Sequence, residues 1–260
     1  MQNGKTVWLA AVALALLNGC AATNSKDPKD PWEGWNRNVQ SFNDSVDDYV
    51  MKPVAKGYRW ITPSFVDQGV TNFFSNIDDI GVIANDALQG KFLQTGQDSA
   101  RFLVNTAVGV AGFVDVGSML DLQKHNEDFD QTLGVWGVPT GPYVVLPFFG
   151  PSSPRGVIGL VGDAAMNPFT YVGFYINPNW IGVAVSTGSG ALKVIDARAD
   201  LLGMEKVASE AAIDRYQFFR DAYFSNRNYL IKDGNVPEDD VLKFEEQKDD
   251  GFGPLAPNPY

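Results

Sequence analysis

The sequence predicts a mostly α-helical protein, and three observations carry that prediction. Apolar residues recur at spacings of three and four over several long stretches, the period of a helix with one apolar face. Helix-opening residues such as Thr62-Pro63 and Asn177-Pro178 stand just ahead of two of these stretches. No segment alternates clearly enough to mark an antiparallel sheet, although Tyr143–Leu146 reads as one short strand.

In chain order, residues 1–19 read as an export signal outside the fold. Lys5 supplies the positive start, and Val7–Leu17 is an 11-residue apolar stretch, too short to span a membrane. It ends in Leu17-Asn18-Gly19-Cys20, which resembles a bacterial lipobox, with Asn18 where a small or β-branched residue is more usual. The chain's one cysteine, Cys20, is thus expected to be lipidated (palmitate-type acyl chains) and to become residue one. Ala21 rather than Asp follows it, which resembles lipoproteins forwarded to the outer membrane. Residues 20–31 are polar and Pro-punctuated, a tether.

Residues 32–232 form the expected helical domain. Removal of the signal leaves 241 residues of the 260, enough for one large domain or two small ones. Val39, Phe42, Val46, Tyr49 and Val50 share one face of a first helix, and Arg37, Gln40, Asn43, Asp44 and Asp47 take the other. Behind Thr62-Pro63, the residues Phe65, Val66, Val70, Phe73, Phe74, Ile77 and Ile80 predict a strongly amphipathic helix. A third helix is predicted over about 95–112. A fourth opens at Asn177-Pro178 and runs through Trp180, Ala184, Thr187, Ala191 and Ile195, and the last carries Ile213, Tyr216, Phe219 and Tyr223. Two stretches stand apart. Thr132–Gly156 is apolar, rich in Gly and Pro and uncharged before Arg155, which predicts a long non-helical loop with a functional role. Gly156–Gly162 is again apolar and small. Residues 233–260 form an acidic tail read as disordered, with seven acids between Glu238 and Asp250 against two lysines.

Composition excludes several functions. Hydrophobic residues are 45% and charged residues 20%, so the chain can bury a core. A net charge of −11 without a basic cluster argues against a nucleic-acid partner. One Cys and one His allow neither an internal disulfide nor a zinc site of the usual kind. No cofactor or metal is expected. His125 is the one imidazole available to a catalytic triad and sits in the charged stretch 124–128, read as a surface loop. Neither a G-x-S-x-G elbow nor a phosphate-binding glycine loop is present. Asp47-Asp48 and Asp78-Asp79 point to different helix faces and read as solvated, so no catalytic carboxylate pair forms. A non-enzyme is expected. The amphipathic helices admit two arrangements, a soluble bundle or helices lying in a lipid layer around a polar interior.

Specific strings then point to a family. Asp30-Pro31-Trp32-Glu33-Gly34-Trp35-Asn36-Arg37, with Phe42-Asn43 after it, resembles the opening of the MlaA/VacJ phospholipid-binding lipoproteins. So do Lys52-Pro53-Val54-Ala55, Asn72-Phe73-Phe74-Ser75-Asn76, Leu88-Gln89-Gly90 and Arg101-Phe102-Leu103-Val104-Asn105-Thr106. Phe129-Asp130-Gln131-Thr132-Leu133-Gly134, Gly141-Pro142-Tyr143-Val144-Val145-Leu146-Pro147 and Arg220-Asp221-Ala222-Tyr223 complete the match, which spans about 30–232. The resemblance implies a ring of amphipathic helices embedded in the outer membrane, lipid-anchored at Cys20 on the periplasmic side. It implies an amphipathic channel that removes misplaced phospholipid from the outer leaflet and keeps the leaflets asymmetric. The implied partners are phospholipids, a trimeric outer-membrane porin and the soluble periplasmic phospholipid carrier of the Mla system. Arg37, Phe42, Asn43, Asp44 and Asp47 become candidates for the channel, and Gly141, Tyr143, Leu146 and Pro147 for its lining or gate. The alternative is a soluble periplasmic interaction module tethered by its lipid.

Overall fold

The computed structural model describes residues 27–176, 178–203 and 214–235. The signal, Cys20, Ile213 and the tail from 236 onward lie outside the described residues. The chain is mostly helical. Helix α1 spans Glu33–Val46, a π-helical turn covers Asp47–Met51, and α2 continues over Lys52–Ile61. The first helix thus runs on past the predicted Val50, but through a π turn. Pro53, whose ring nitrogen donates no hydrogen bond, sits just after that turn.

Helix α3 (Ser64–Gln89) opens one residue later than predicted, with Pro63 as its N-cap, and Gly90 closes it at φ +77°, a conformation that favours glycine. Helix α4 runs Phe92–Ala107 rather than 95–112, because Val110 and Ala111 turn left-handed at φ +55° and +58°. Short α5 (Val116–Met119) and α6 (Phe129–Val135) follow, each capped by an aspartate, Asp115 and Asp128.

The predicted non-helical loop over 132–156 holds for residues 136–153 and is corrected at its two ends and by a short hairpin within it. Its first residues belong to α6, and its middle is a hairpin of β1 (Val144–Leu146) and β2 (Gly150–Ser152), paired antiparallel with Val145 opposite Pro151. Its end opens α7 (Pro154–Met166), where the Ser153 hydroxyl accepts the Gly156 N–H and Pro154 sits at the first turn. Apolar residues with Gly and Pro therefore marked tight turns and close packing, not unstructured chain. Helices α8 (Phe169–Tyr175), α9 (Asn179–Asp200), a 3-10 turn at Leu201–Gly203, and α10 (Arg215–Ile231) complete the order.

Helix α3 packs on α4 and α6, α9 on α8 and α2, α6 on α7, and α10 on α6. A small apolar cluster of Val39, Tyr143, Val145 and Tyr216, flanked by Trp35, Tyr223 and Phe224, joins α1, the hairpin and α10. The residues read as a tether are docked here from Asp27 onward. Asp30 is fully buried, and it accepts hydrogen bonds from Asn36 Nδ2 at 2.8 Å and from the Tyr216 hydroxyl. Arg220 reaches Asp27 at 3.1 Å.

The distribution of polarity is inverted relative to a soluble bundle. Among the described residues sixteen polar or charged side chains are buried against eight apolar ones. Trp60, Phe65, Phe92, Leu93, Val110, Met119 and Trp180 are each at least 70% exposed, more than isolated surface apolar residues explain. The Asp pairs are also less solvated than expected: Asp79 is 1% exposed beside Lys124, and Asp47 pairs with Arg198. Among the described residues no helix is long and apolar enough to cross a membrane.

Asn36 is the most informative residue to remove from this core. Its amide donates to Asp30 and, at 3.0 Å, to the Tyr143 carbonyl, and its oxygen accepts the Val145 N–H at 2.8 Å. Asn36→Ala strands three buried groups and is expected to cost on the order of 2–4 kcal/mol, read as a lowered melting temperature.

Candidate functional site

A cavity of about 790 Å³ opens between α3, the segment before α6, α7, α8 and α9. Phe74, Ile77, Val82, Phe149, Phe169 and Leu230 give it apolar walls, and Asp78, Glu127, Asp128, Asp163 and Lys193 give it charge. It falls within the roughly 300–1,000 Å³ of small-molecule sites, and its mixed lining suits an amphiphile.

The charges are held by defined partners. Both Asp78 oxygens accept from Lys193 Nζ, at 2.6 and 2.7 Å. Glu127 accepts from Lys91 at 2.8 Å and from Gln89 at 2.9 Å. Asp128 pairs with Arg227 and caps α6 through the Gln131 N–H. Asp163 accepts the Phe129 N–H at 2.8 Å. Burial pushes the Asp163 carboxyl up to about 6, and that amide offsets part of the rise.

Phe149 connects the cavity to the hairpin tip. The tip is strained: Phe148 stands at φ +68°, costly for a bulky side chain. Helix α1 holds it there. Asn43 Nδ2 donates to the Leu146 carbonyl at 2.9 Å, and the Phe148 N–H donates to Asn43 Oδ1 at 2.8 Å. The Phe42 ring meets Phe148 edge-on at 5.3 Å.

None of the nine channel candidates lines this cavity; the structure gathers them on the α1–hairpin–α10 side. Arg37 bonds Glu33 and Asp214, at 2.8 and 2.9 Å, and lies over the Tyr216 ring. Asp44 faces Arg215 at 3.5 Å, and Asp47 takes Arg198 with both oxygens. Phe42 and Asn43 clamp the tip. Tyr143 is fully buried, and its N–H donates to the Lys29 carbonyl at 2.7 Å. Leu146 is half-buried and Pro147 is exposed. Gly141 turns at φ +79°, where a Cβ would crowd the Pro154 ring at 3.2 Å. Periodicity placed Phe74 and Ile77 on an apolar helix face but pointed to none of the cavity's charged residues. One signal was present: Lys193 is an isolated cation in the otherwise uncharged stretch 179–195.

His125 lies in the loop before α6, as expected, but is half-buried there. Its Nδ1 sits 2.8 Å from Asp98 Oδ2, and the fully buried Asp98 adjoins the fully buried Asp86. Burial, the Asp98 carboxyl and the charge of Glu127 raise the Asp86 pKa to about 7, against the pull of Lys91. Folding then holds a proton that the unfolded chain releases near pH 4, so this site loses stability as pH rises from about 4 to 7. Asp86→Asn is expected to melt above the parent at pH 8, with the advantage shrinking as pH falls to 4. Parallel melting curves of the two proteins across that range check it, and a constant difference would remove the shared proton.

The chain and its fold match known proteins. The MlaA lipoprotein family profile covers residues 28–230. The intermembrane phospholipid transport system lipoprotein MlaA of Escherichia coli (strain K12) is 35% identical over 236 residues, covering 88% of this chain and 90% of its own length. Its namesake in Haemophilus influenzae is 32% identical over 253 residues, covering 92% of this chain and 98% of its own. A solved structure concerned with the maintenance of bacterial outer membrane lipid asymmetry superposes with a TM-score of 0.66 at 31% identity, over 78% of this chain and 98% of that one. This chain belongs to the MlaA lipoprotein family.

Proposed function

We propose that this chain removes misplaced phospholipid from the outer leaflet of the outer membrane and passes it to a soluble periplasmic carrier. In this reading Cys20 carries the lipid anchor on the periplasmic side, the 32–232 helical unit sits in the bilayer as a ring, and a trimeric porin is its partner there. The relatives named above, described as phospholipid transport lipoproteins, support the reading. The observation that carries it is the inverted polarity: apolar side chains face outward, polar and charged ones are buried, and a cavity has both apolar and charged walls. A phospholipid has a charged head and apolar tails. Its path needs polar partners for the head inside a protein whose exterior tolerates lipid.

The hairpin is the gate of this path. Asn43 and Phe42 hold its tip, and the neighbouring Phe149 reaches the cavity wall. A strained tip held by two hydrogen bonds and one ring contact can move when those contacts are lost. The cavity itself is passive, so net transfer takes its direction from lipid gradients and from capture downstream.

The test is headgroup-specific labelling of outer-leaflet phospholipid on intact cells lacking the protein. A rise over the parent, reversed by the wild-type copy but not by Cys20→Ala, is expected. No rise would leave a lipid-tethered interaction module as the better reading. Asn43→Ala, in the same assay, is expected to raise outer-leaflet phospholipid above the wild-type complement, because a freed tip leaves the path open. A level equal to wild type would remove the gate.

A further inference from the structure

The cavity's charges are unevenly committed. Its lining holds four carboxylates and a single cation, Lys193. Two of the acids are occupied from behind, Glu127 by Lys91 and Gln89, and Asp128 by Arg227. The other two are available to a ligand. Asp163 has no ion pair among the described residues; its partners are neutral donors, the Phe129 N–H and the Asn85 amide, with the Arg227 charge acting on it from farther off. At neutral pH it is mostly ionised, since burial lifts its pKa only to about 6. Among the described residues Asp78 is occupied solely by Lys193, and both side chains of that pair are 42% exposed, so the pair exchanges partners at little cost.

We infer that this cavity selects phospholipids whose headgroup carries an amine cation beside its phosphate, in preference to anionic phospholipids. The inference rests on the lipid-removal reading above. A phosphate entering the cavity finds one cation, the Lys193 ammonium, and taking it releases Asp78. An amine on the same headgroup then replaces Lys193 at Asp78 and can share its charge with Asp163, so one ion pair becomes two and the net charge of the lining is unchanged. An anionic headgroup makes the first exchange and nothing more. It leaves Asp78 without its partner and Asp163 still unpaired, and it adds negative charge to a lining that already has an excess. Specificity of this kind comes from the unfavourable contacts with the wrong ligand as much as from the gain with the right one. The walls of Phe74, Phe149 and Phe169 suit a lipid better than a free phosphorylated amine, because they cover glycerol and acyl groups.

To test this, the full lipidated chain in detergent is incubated with vesicles of equal parts phosphatidylethanolamine and phosphatidylglycerol. It is then re-isolated, and its retained lipid is quantified by headgroup. The wild type is expected to retain the amine lipid in about 2–5-fold excess, the gain of one partly exposed ion pair. Asp163→Asn keeps the acceptor for the Phe129 N–H and is expected to bring the ratio towards one, whereas Lys193→Gln lowers retention of both lipids. Lipid retained by the wild type at a ratio of one, or in favour of the anionic lipid, overturns the headgroup inference and leaves lipid removal standing. An excess that survives in both variants also overturns it, since the selectivity then lies elsewhere. A wild type that retains no lipid overturns both readings.

Discussion

Arg155 and Asp130 set the terms for much of the surrounding structure. Their side chains are 3% and 5% exposed and meet at 2.7 Å, and a buried charge is tolerated only when it is paired and hydrogen-bonded. Arg155 also donates to the Val138 carbonyl at 3.0 Å, and Arg227 of α10 approaches Asp130 at 3.4 Å. The pair therefore ties α6, α7 and α10 together. It also dictates which residues can stand beside it. A Cβ on Gly159 would fall 2.7 Å from the Asp130 Cβ, and one on Gly134 would fall 3.1 Å from Arg155 Nη1. Gly159 of α7 is space that Asp130 needs, and Gly134 of α6 makes room for Ile231 as well as for Arg155.

The hairpin depends on the same rule in neutral form. Two strands of three residues offer little stability of their own. Helix α1 supplies what a third strand would. Asn36 and Asn43 lie seven residues apart, two helical turns, and so share one face. Asn36 binds the Tyr143 carbonyl and the Val145 N–H, and Asn43 binds the Leu146 carbonyl and the Phe148 N–H. The two side chains take the backbone groups that an edge strand would leave open. Asn36 also anchors Asp30, so the entry to the domain and the hairpin are fixed by one amide.

These features explain what the sequence made legible. Helices with an exposed apolar face announce themselves by periodicity whether that face meets a core or a lipid, so α1, α3, α9 and α10 were readable, and the direction of the face was not. Apolar glycine runs such as 156–162 look like loop because glycine has low helix propensity; tertiary packing against Phe129 and Asp130 makes the segment helical. The polar face of α1 was identified, but its residues proved to hold the hairpin and α10 rather than to line the cavity. Cavity residues come from six helices and the hairpin tip, and no local pattern links Asp78, Asp163 and Lys193, which long-range packing alone brings together.

In a bilayer setting, the asparagine clamp takes on a further role. Irregular backbone survives near hydrocarbon only if its N–H and C=O groups are satisfied within the protein. The chain from Pro139 to Ser153 contains four prolines, two glycines and a hairpin too short to pair its own tip. Beside exposed Phe148 and Phe149, an unsatisfied tip would be costly in lipid and indifferent in water. The bonds from Asn43 therefore gain weight as the surroundings become less polar, because the alternative partner, water, is withdrawn. On the proposed reading of the hairpin as a gate, the tip is held most firmly where lipid surrounds it and loosens where a polar headgroup or water can compete for Leu146 and Phe148. The ligand's own polarity is then a means of opening its path.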